Sequence, residues 1–230
     1  MKVSKVSFVE GAQKATGIAV IIDVFRAFTV ACYAFDQGAA RIFPVAGIDE
    51  ARQIALVDKQ AILIGERHGK KLPGFHLGNS PTELLSTDVR GKTLIHTTHS
   101  GTQGLTRALA ADQILTGALV NARATARYIK SQKPERVTLV RMGLEATEDS
   151  DEDSICADYL ESLLLDQPYD VEGIYPRLKA SPYSQRFFDP EKPWNPSSDF
   201  EHCLKIDQFD FALKAVNGST GRMELKPTEK

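Results

Sequence analysis

Short aliphatic runs alternate with longer amphipathic stretches from about residue 17 to residue 165. Runs at 18–23, 41–45, 61–65, 93–97, 113–116 and 137–141 have the length and β-branched content of buried strands. Between them, residues 27–37, 49–57, 102–110 and 121–131 place apolar side chains at helical spacing, with stops near Gly38 and Pro134. This alternation predicts a three-layer α/β/α fold, with a largely parallel or mixed central sheet covered by helices on both faces.

The last third breaks the rhythm. Six prolines fall between residues 168 and 196, in a segment that also holds Tyr183, Phe187, Phe188 and Trp194. Proline at that density excludes a long helix or a central strand, while the aromatics call for packing rather than disorder. A structured, loop-rich C-terminal excursion over 166–198 is therefore expected, lying on the main body. Residues 200–207 look helical. Residues 209–216 and 222–225 suit a closing hairpin around Asn217-Gly218, with 226–230 as a frayed tail.

Composition narrows the function classes. Lys and Arg number 28 against 30 Asp and Glu, a net charge of −2, so no electrostatic case arises for nucleic acid or an anionic membrane. The 230 residues can bury a core and fit one α/β domain over 1–230. Cys32, Cys156 and Cys203 are too few and too scattered for a disulfide framework or a Cys metal site, and they suit a reducing compartment. Residues 1–10 lack the apolar core of a leader, and the longest aliphatic run, 18–22, is too short to span a bilayer. A cytoplasmic location is the expectation, and a homodimer is left open.

The chemistry-bearing residues gather after the strands, where open α/β sheets bind ligands. Asp23-Val24-Phe25-Arg26 follows the first strand: the carboxylate suits a metal and Arg26 an anion, or Asp23 caps the next helix and pairs with Arg26. Gly65-Glu66-Arg67-His68-Gly69 leads on to Gly78-Asn79-Ser80-Pro81. Ser80, Pro81 and Glu83 form a helix-start signature, which leaves Glu66, Arg67 and Asn79 free for a phosphate or a metal. Thr97-Thr98-His99-Ser100-Gly101-Thr102-Gln103 offers backbone N–H groups to an anion, with a Ser100–Gln103 capping box as the structural alternative. His96 and His99 lack a third ligand in sequence and read as one packed and one solvated residue. Six carboxylates lie between Glu145 and Asp153. Capping explains some of those in the first turn, and Glu145, Glu148 and Asp149 read as a solvated loop.

At these junctions the chain resembles the 2-phosphosulfolactate phosphatase family. The matching pieces are Asp23 to Thr29, Gly65-Glu66-Arg67 with Gly74-Phe75 and Gly78-Asn79-Ser80-Pro81, Thr97-Thr98 with Gly101-Thr102, and Glu152-Asp153 with Cys156-Ala157. Cys203-Leu204 and Asp207 resemble its C-terminal pattern. Two places depart from it: His68-Gly69 stands where the family usually reads Gly-Gly, and His99-Ser100-Gly101-Thr102 where it usually reads Thr-Asn-Gly-Thr. The resemblance implies an α/β/α fold and a Mg2+-dependent phosphatase that hydrolyses 2-phosphosulfolactate or a similar 2-hydroxy-acid phosphomonoester, a step towards coenzyme M.

The resulting expectation is a Mg2+ enzyme for a small, multiply anionic substrate. Asp23, Glu66, Glu152 and Asp153 are assigned to the metal, with Asp23, Glu66 and Asp153 also catalytic. Arg26, Arg67, Asn79, Thr98, Ser100, Gly101 and Thr102 are assigned to the substrate. The rival readings are a non-catalytic anion or metabolite sensor on the same fold, and an enzyme for a different phosphorylated or sulfonated acid.

Overall fold

Residues 18–22 read Ile-Ala-Val-Ile-Ile, and all five are buried. A run with no polar face belongs between neighbours on both sides, and this one forms strand β2 (Ile18–Ile22). In the computed structural model, which describes residues 1–218 and 221–228, it is preceded by β1 (Lys2–Ser7) and α1 (Phe8–Lys14). There follow α2 (Ala27–Asp36), β3 (Arg41–Pro44), α3 (Ile48–Val57), β4 (Ile62–Arg67), β5 (Lys70–Lys71) and α4 (Pro81–Leu85). Next come β6 (Thr93–Thr97), α5 (Gly101–Arg107), β7 (Gln113–Gly117), α6 (Ala122–Gln132) and β8 (Arg136–Arg141). The chain finishes with α7 (Asp151–Leu164), α8 (Ile174–Ala180), α9 (Ser197–Cys203), β9 (Leu213–Asn217) and β10 (Met223–Pro227).

The fold is α/β, and the described residues form a ten-stranded mixed sheet in the order β1-β8-β2-β7-β9-β10-β3-β6-β4-β5. It contains two parallel blocks, β1-β8-β2-β7 and β3-β6-β4, with the short β5 added antiparallel to β4 at the edge. The antiparallel hairpin β9-β10 joins them, pairing through β9 with β7 and through β10 with β3. The expected hairpin is therefore the seam of the sheet. Lys226 and Pro227, expected to fray, extend β10, and the Thr228 N–H donates to the Ala212 carbonyl at 2.8 Å. The rest of that expected tail lies outside the described residues.

Helix α2 explains how the blocks come together. Every residue from Ala27 to Ala34 is buried, the pattern of a helix surrounded by protein. Its side chains share one apolar cluster with Ala19 and Ile21 of β2, Ile42 of β3, Ile64 of β4, Leu94 of β6 and Leu225 of β10. Helix α5 also belongs to this layer: a Cβ on Gly104 would lie 2.8 Å from Ile21 Cγ2 and 2.4 Å from Met142 Sδ. In a flat sheet, five strand spacings would hold β2 and β6 about 24 Å apart. Yet the residue after β2 bonds the first residue of α5, so the sheet curls around these helices.

The periodicity of residues 1–14 does not announce β1 and α1. Strand β1 carries only Val3 and Val6 as apolar residues and sits at the sheet edge, where one buried face suffices. The excursion is structured, as expected, but is more helical than the proline count suggests. Pro176 lies in the first turn of α8, where the missing N–H costs little, and Pro182 opens a short 3-10 turn over Pro182–Phe187. Phe25, Phe187 and Phe200 pack together, with centroids 5.0 to 6.0 Å apart, and fasten it to the loop after β2. Helix α9 begins three residues earlier than the apolar pattern indicated and ends at Cys203, so the expected helical stretch 204–207 is a turn.

Leu225 lies at the seam, 1% exposed, and is the β10 residue paired with Ile42 of β3. Leu225→Ala is expected to cost about 2–5 kcal/mol by lost burial and cavity formation. Urea unfolding measures it. A loss below about 0.5 kcal/mol would show that the seam does not hold the two blocks together.

Candidate active site

Four carboxylates reach one cavity of about 330 Å³ from three strand ends: Asp23 follows β2, Glu66 lies near the end of β4, and Glu152 with Asp153 opens α7 after β8. All four are at most 7% exposed. Ions so far from water need compensation, or they cost several kcal/mol each. The backbone provides it for three of them. Asp23 accepts the Ala27 N–H at 3.0 Å through Oδ1 and the Gly101 N–H at 2.8 Å through Oδ2. Glu66 accepts the His99 and Gly69 N–H groups, each at 2.8 Å. Asp153 accepts the Val24 N–H at 2.9 Å and the Gly143 N–H at 2.8 Å.

These bonds require glycine at two places. A Cβ on Gly101 would sit 2.7 Å from Asp23 Oδ2, inside contact distance. Gly143 has φ +65°, and a Cβ there would lie 2.1 Å from the Glu148 carbonyl oxygen.

Glu152 is different. Its Oε1 lies 3.6 Å from Arg186 Nη2, while Oε2 is buried with no hydrogen-bond partner among the described residues. Burial raises the Asp23 carboxyl to about 6, against its two N–H bonds and with a further push from Glu66 and Glu152. Burial also raises Glu152, which Arg186 partly offsets, and lifts Asp153 well above the usual carboxylate range with help from Glu152 and Asp23. Burial and the neighbouring carboxylates thus disfavour full ionisation of the cluster.

The residues expected to bind substrate divide into two groups. Arg26, Asn79 and Ser100 line the cavity. The Arg26 guanidinium is buried and engaged, donating to Asp199, to Asn195 Oδ1 at 2.9 Å and to the Trp194 carbonyl at 3.1 Å. It pairs with Asp199, so the expected alternative of an Arg26–Asp23 pair does not occur. Asn79 Oδ1 faces His96 Nε2 at 3.1 Å, and burial depresses His96 to about 4, so a neutral imidazole orients this amide.

Arg67, Thr98, Gly101 and Thr102 do not line the cavity. Arg67 turns to the Ala46 carbonyl at 3.2 Å and Thr97 Oγ1 at 3.1 Å. The anion cradle expected at the start of α5 is filled from within: Asp23 takes the Gly101 N–H, Thr98 Oγ1 takes the Thr102 N–H and Glu66 takes the His99 N–H. The Ser100 side chain makes no capping bond, so the Ser100–Gln103 capping box does not form. Gln103 Nε2 instead donates to the Ala46 carbonyl at 2.8 Å.

Several cavity residues were not legible as such. Arg186, Lys192, Trp194 and Asn195 come from the proline-rich excursion. The density of aromatics marked that excursion as packed but did not show on what. His68, His99 and Glu145 meet at the same cavity. Glu145 is thus not part of a free acidic loop, and His99 is not simply solvated: its ring packs edge-on to His68, with centroids 4.9 Å apart.

An α/β sheet whose strand ends gather polar loops around a concave pocket is the usual setting of an enzyme site. A family model described as 2-phosphosulpholactate phosphatase matches residues 6–218. A protein of Caldanaerobacter subterraneus subsp. tengcongensis named "Probable 2-phosphosulfolactate phosphatase" is 32% identical over 215 residues, 86% of this chain and 88% of its own length. A Bacillus subtilis protein of the same name is 33% identical over 200 residues, 86% of each chain. The chain belongs to the 2-phosphosulpholactate phosphatase family, and by that membership it is an enzyme, a phosphoric monoester hydrolase.

The raised Asp23 pKa links stability to pH. Folding raises this carboxyl from 3.8 to about 6, so the folded state binds the extra proton between those values. The associated stability is complete below about pH 4 and is lost as pH rises through 6. Metal-free protein should therefore lose about 1 kcal/mol between pH 5 and pH 7 through Asp23 alone. Denaturant unfolding should show a smaller pH 5 to 7 difference in Asp23→Asn. An unchanged difference would place the titration elsewhere.

Proposed function

We propose that this protein is a Mg2+-dependent phosphatase acting on a small 2-hydroxy-acid phosphomonoester, 2-phosphosulfolactate or a close chemical relative. The observation that carries this reading is the set of four buried carboxylates around one cavity, one of them with an unpartnered oxygen. An all-oxygen donor set suits a hard divalent cation. Asp23, Glu66, Glu152 and Asp153 are the residues to hold it. When bound, Mg2+ neutralises phosphate oxygens and lowers the barrier to attack by water.

The chain's own groups supply the rest. Asp23, Glu66 and Asp153 are fixed by two backbone donors each, so they act as rigid anchors. Glu152 Oε2, without a partner, is the oxygen available to accept a proton from the attacking water. The phosphorus–ester oxygen bond then breaks, releasing inorganic phosphate and the 2-hydroxy acid, whose hydroxyl takes up a proton.

Arg186, Lys192 and the Asn79 amide present the cavity's donors to the phosphate and the acid group. Arg26 holds the cavity wall, tying the loop after β2 to Asn195 and Asp199. Arg67, Thr98, Gly101 and Thr102 support the site from outside by fixing the loops that carry Glu66 and Asp23. The names of the relatives support the substrate class.

Phosphate release from 2-phosphosulfolactate tests the reading. A chelator should abolish it, and Mg2+ should restore it better than Zn2+. Glu152→Gln should lower kcat by about 100-fold or more with the fold intact. Full turnover in chelator removes the metal, and an unchanged kcat in Glu152→Gln removes the proton acceptor.

The two arginines separate by position. Arg186→Ala should raise KM about tenfold or more, the loss of one charged hydrogen bond. Arg67→Lys, outside the cavity, should change KM much less. Steady-state kinetics on both variants decides, and the reverse order would return Arg67 to the substrate.

A further inference from the structure

At the cavity mouth, three loops bring together His68, His99 and Glu145, none of which belongs to the carboxylate cluster. One donor atom from each lies within 4.8 Å of the others. His68 Nδ1 and Glu145 Oε1 are 2.6 Å apart, and the two imidazoles stack edge to face at 82°. His99 Nδ1 is buried and has no hydrogen-bond partner among the described residues. The His68–Glu145 contact is itself exposed and contributes little to stability. It also leaves the third group unexplained.

We infer that His68, His99 and Glu145 bind a divalent transition-metal ion of the Zn2+ class, at a site separate from the four buried carboxylates. Two imidazoles and one carboxylate are borderline nitrogen and oxygen donors, which select Zn2+, Co2+ or Ni2+ over Mg2+. A tetrahedral ion with donors at about 2.1 Å needs them about 3.4 Å apart. The 2.6 Å His68–Glu145 contact must open to that spacing, and the other separations, none above 4.8 Å, lie within reach of it by small side-chain rotations.

The backbone beneath is already held. Glu66 accepts the N–H of His99 itself and of Gly69, the neighbour of His68. Asp153 accepts the N–H of Gly143, two residues before Glu145. The imidazoles therefore stand on loops tied to a single carboxylate, the kind of support that orients metal ligands. With three protein donors, at least one coordination position remains for water or for an anionic group in the cavity these residues line.

The test uses the full chain without a histidine tag, stripped of metal and then held in millimolar Mg2+ to occupy oxygen-only sites. Titration calorimetry with Zn2+ should show one equivalent per chain, and Co2+ should give a visible absorption band of a nitrogen-containing site. His68→Ala and His99→Ala should each weaken Zn2+ binding by about tenfold or more and remove the band. Glu145→Gln should weaken binding with circular dichroism unchanged.

No Zn2+ binding in the wild type overturns the proposal. So does binding that survives both histidine substitutions but is lost in Asp153→Asn, which would place the ion on the buried carboxylates. Phosphate release with Mg2+, measured on the same preparations, reports separately on the carboxylate site, so the two readings can fail independently.

Discussion

Four carboxylates withdrawn from water and facing one cavity repel one another, and the local backbone is arranged to offset that repulsion. Asp23, Glu66 and Asp153 each accept two backbone N–H groups, and the donors come from loops distant in sequence: Gly101 for Asp23, His99 for Glu66, Val24 for Asp153. The acidic cluster is thus also the crosslink between the strand ends. Substituting one of these residues would release two loops as well as remove a charge. A divalent cation held there, as proposed, would relieve the remaining repulsion and would couple its binding to local order.

The curled sheet makes this crosslinking feasible. Helix α2 is buried on all sides over Ala27–Ala34 and fills the hollow between the parallel blocks. The C-terminal hairpin closes the gap between β7 and β3. Strand ends several positions apart in the sheet therefore meet around one cavity. The proline-rich excursion supplies the remaining wall, held by the buried Arg26 with Asp199 and Asn195 and by the Phe25, Phe187 and Phe200 stack.

His68 and His99 illustrate how a site is assembled across a fold. They stand in loops that are 31 residues apart in the chain. Glu66 binds the backbone beside one and at the other, which brings their rings into contact. His68 has φ 53° and Glu145 φ 54°, left-handed conformations in which glycine is more common. Both turns nonetheless carry side chains that reach the cavity.

Much of the fold was legible in local pattern. The strands β2, β3, β4, β6, β7 and β8 and the helices between them follow from short aliphatic runs and 3.6-residue spacing, because burial on two faces or one leaves that mark on composition. The buried carboxylates were legible too, since Asp23 and Glu66 stand at strand ends and Glu152 and Asp153 at the start of the helix that follows β8, where α/β sheets place their ligands. The edge strand β1, with two apolar residues, left too faint a trace.

Pairing was not legible. Sequence pattern offered Asp23 a partner in Arg26, the nearest cation, but tertiary structure gave Arg26 to Asp199 and Asp23 to two backbone N–H groups. It offered the start of α5 to an external anion, yet the chain's own carboxylate fills that place. Arg67 and Arg186 differ little as residues, and only the course of the backbone puts one against the Ala46 carbonyl and the other beside Glu152. Periodicity reports how much of a residue is buried, a local property. Which groups meet depends on how the sheet curls, and that is decided by contacts between residues a hundred or more positions apart.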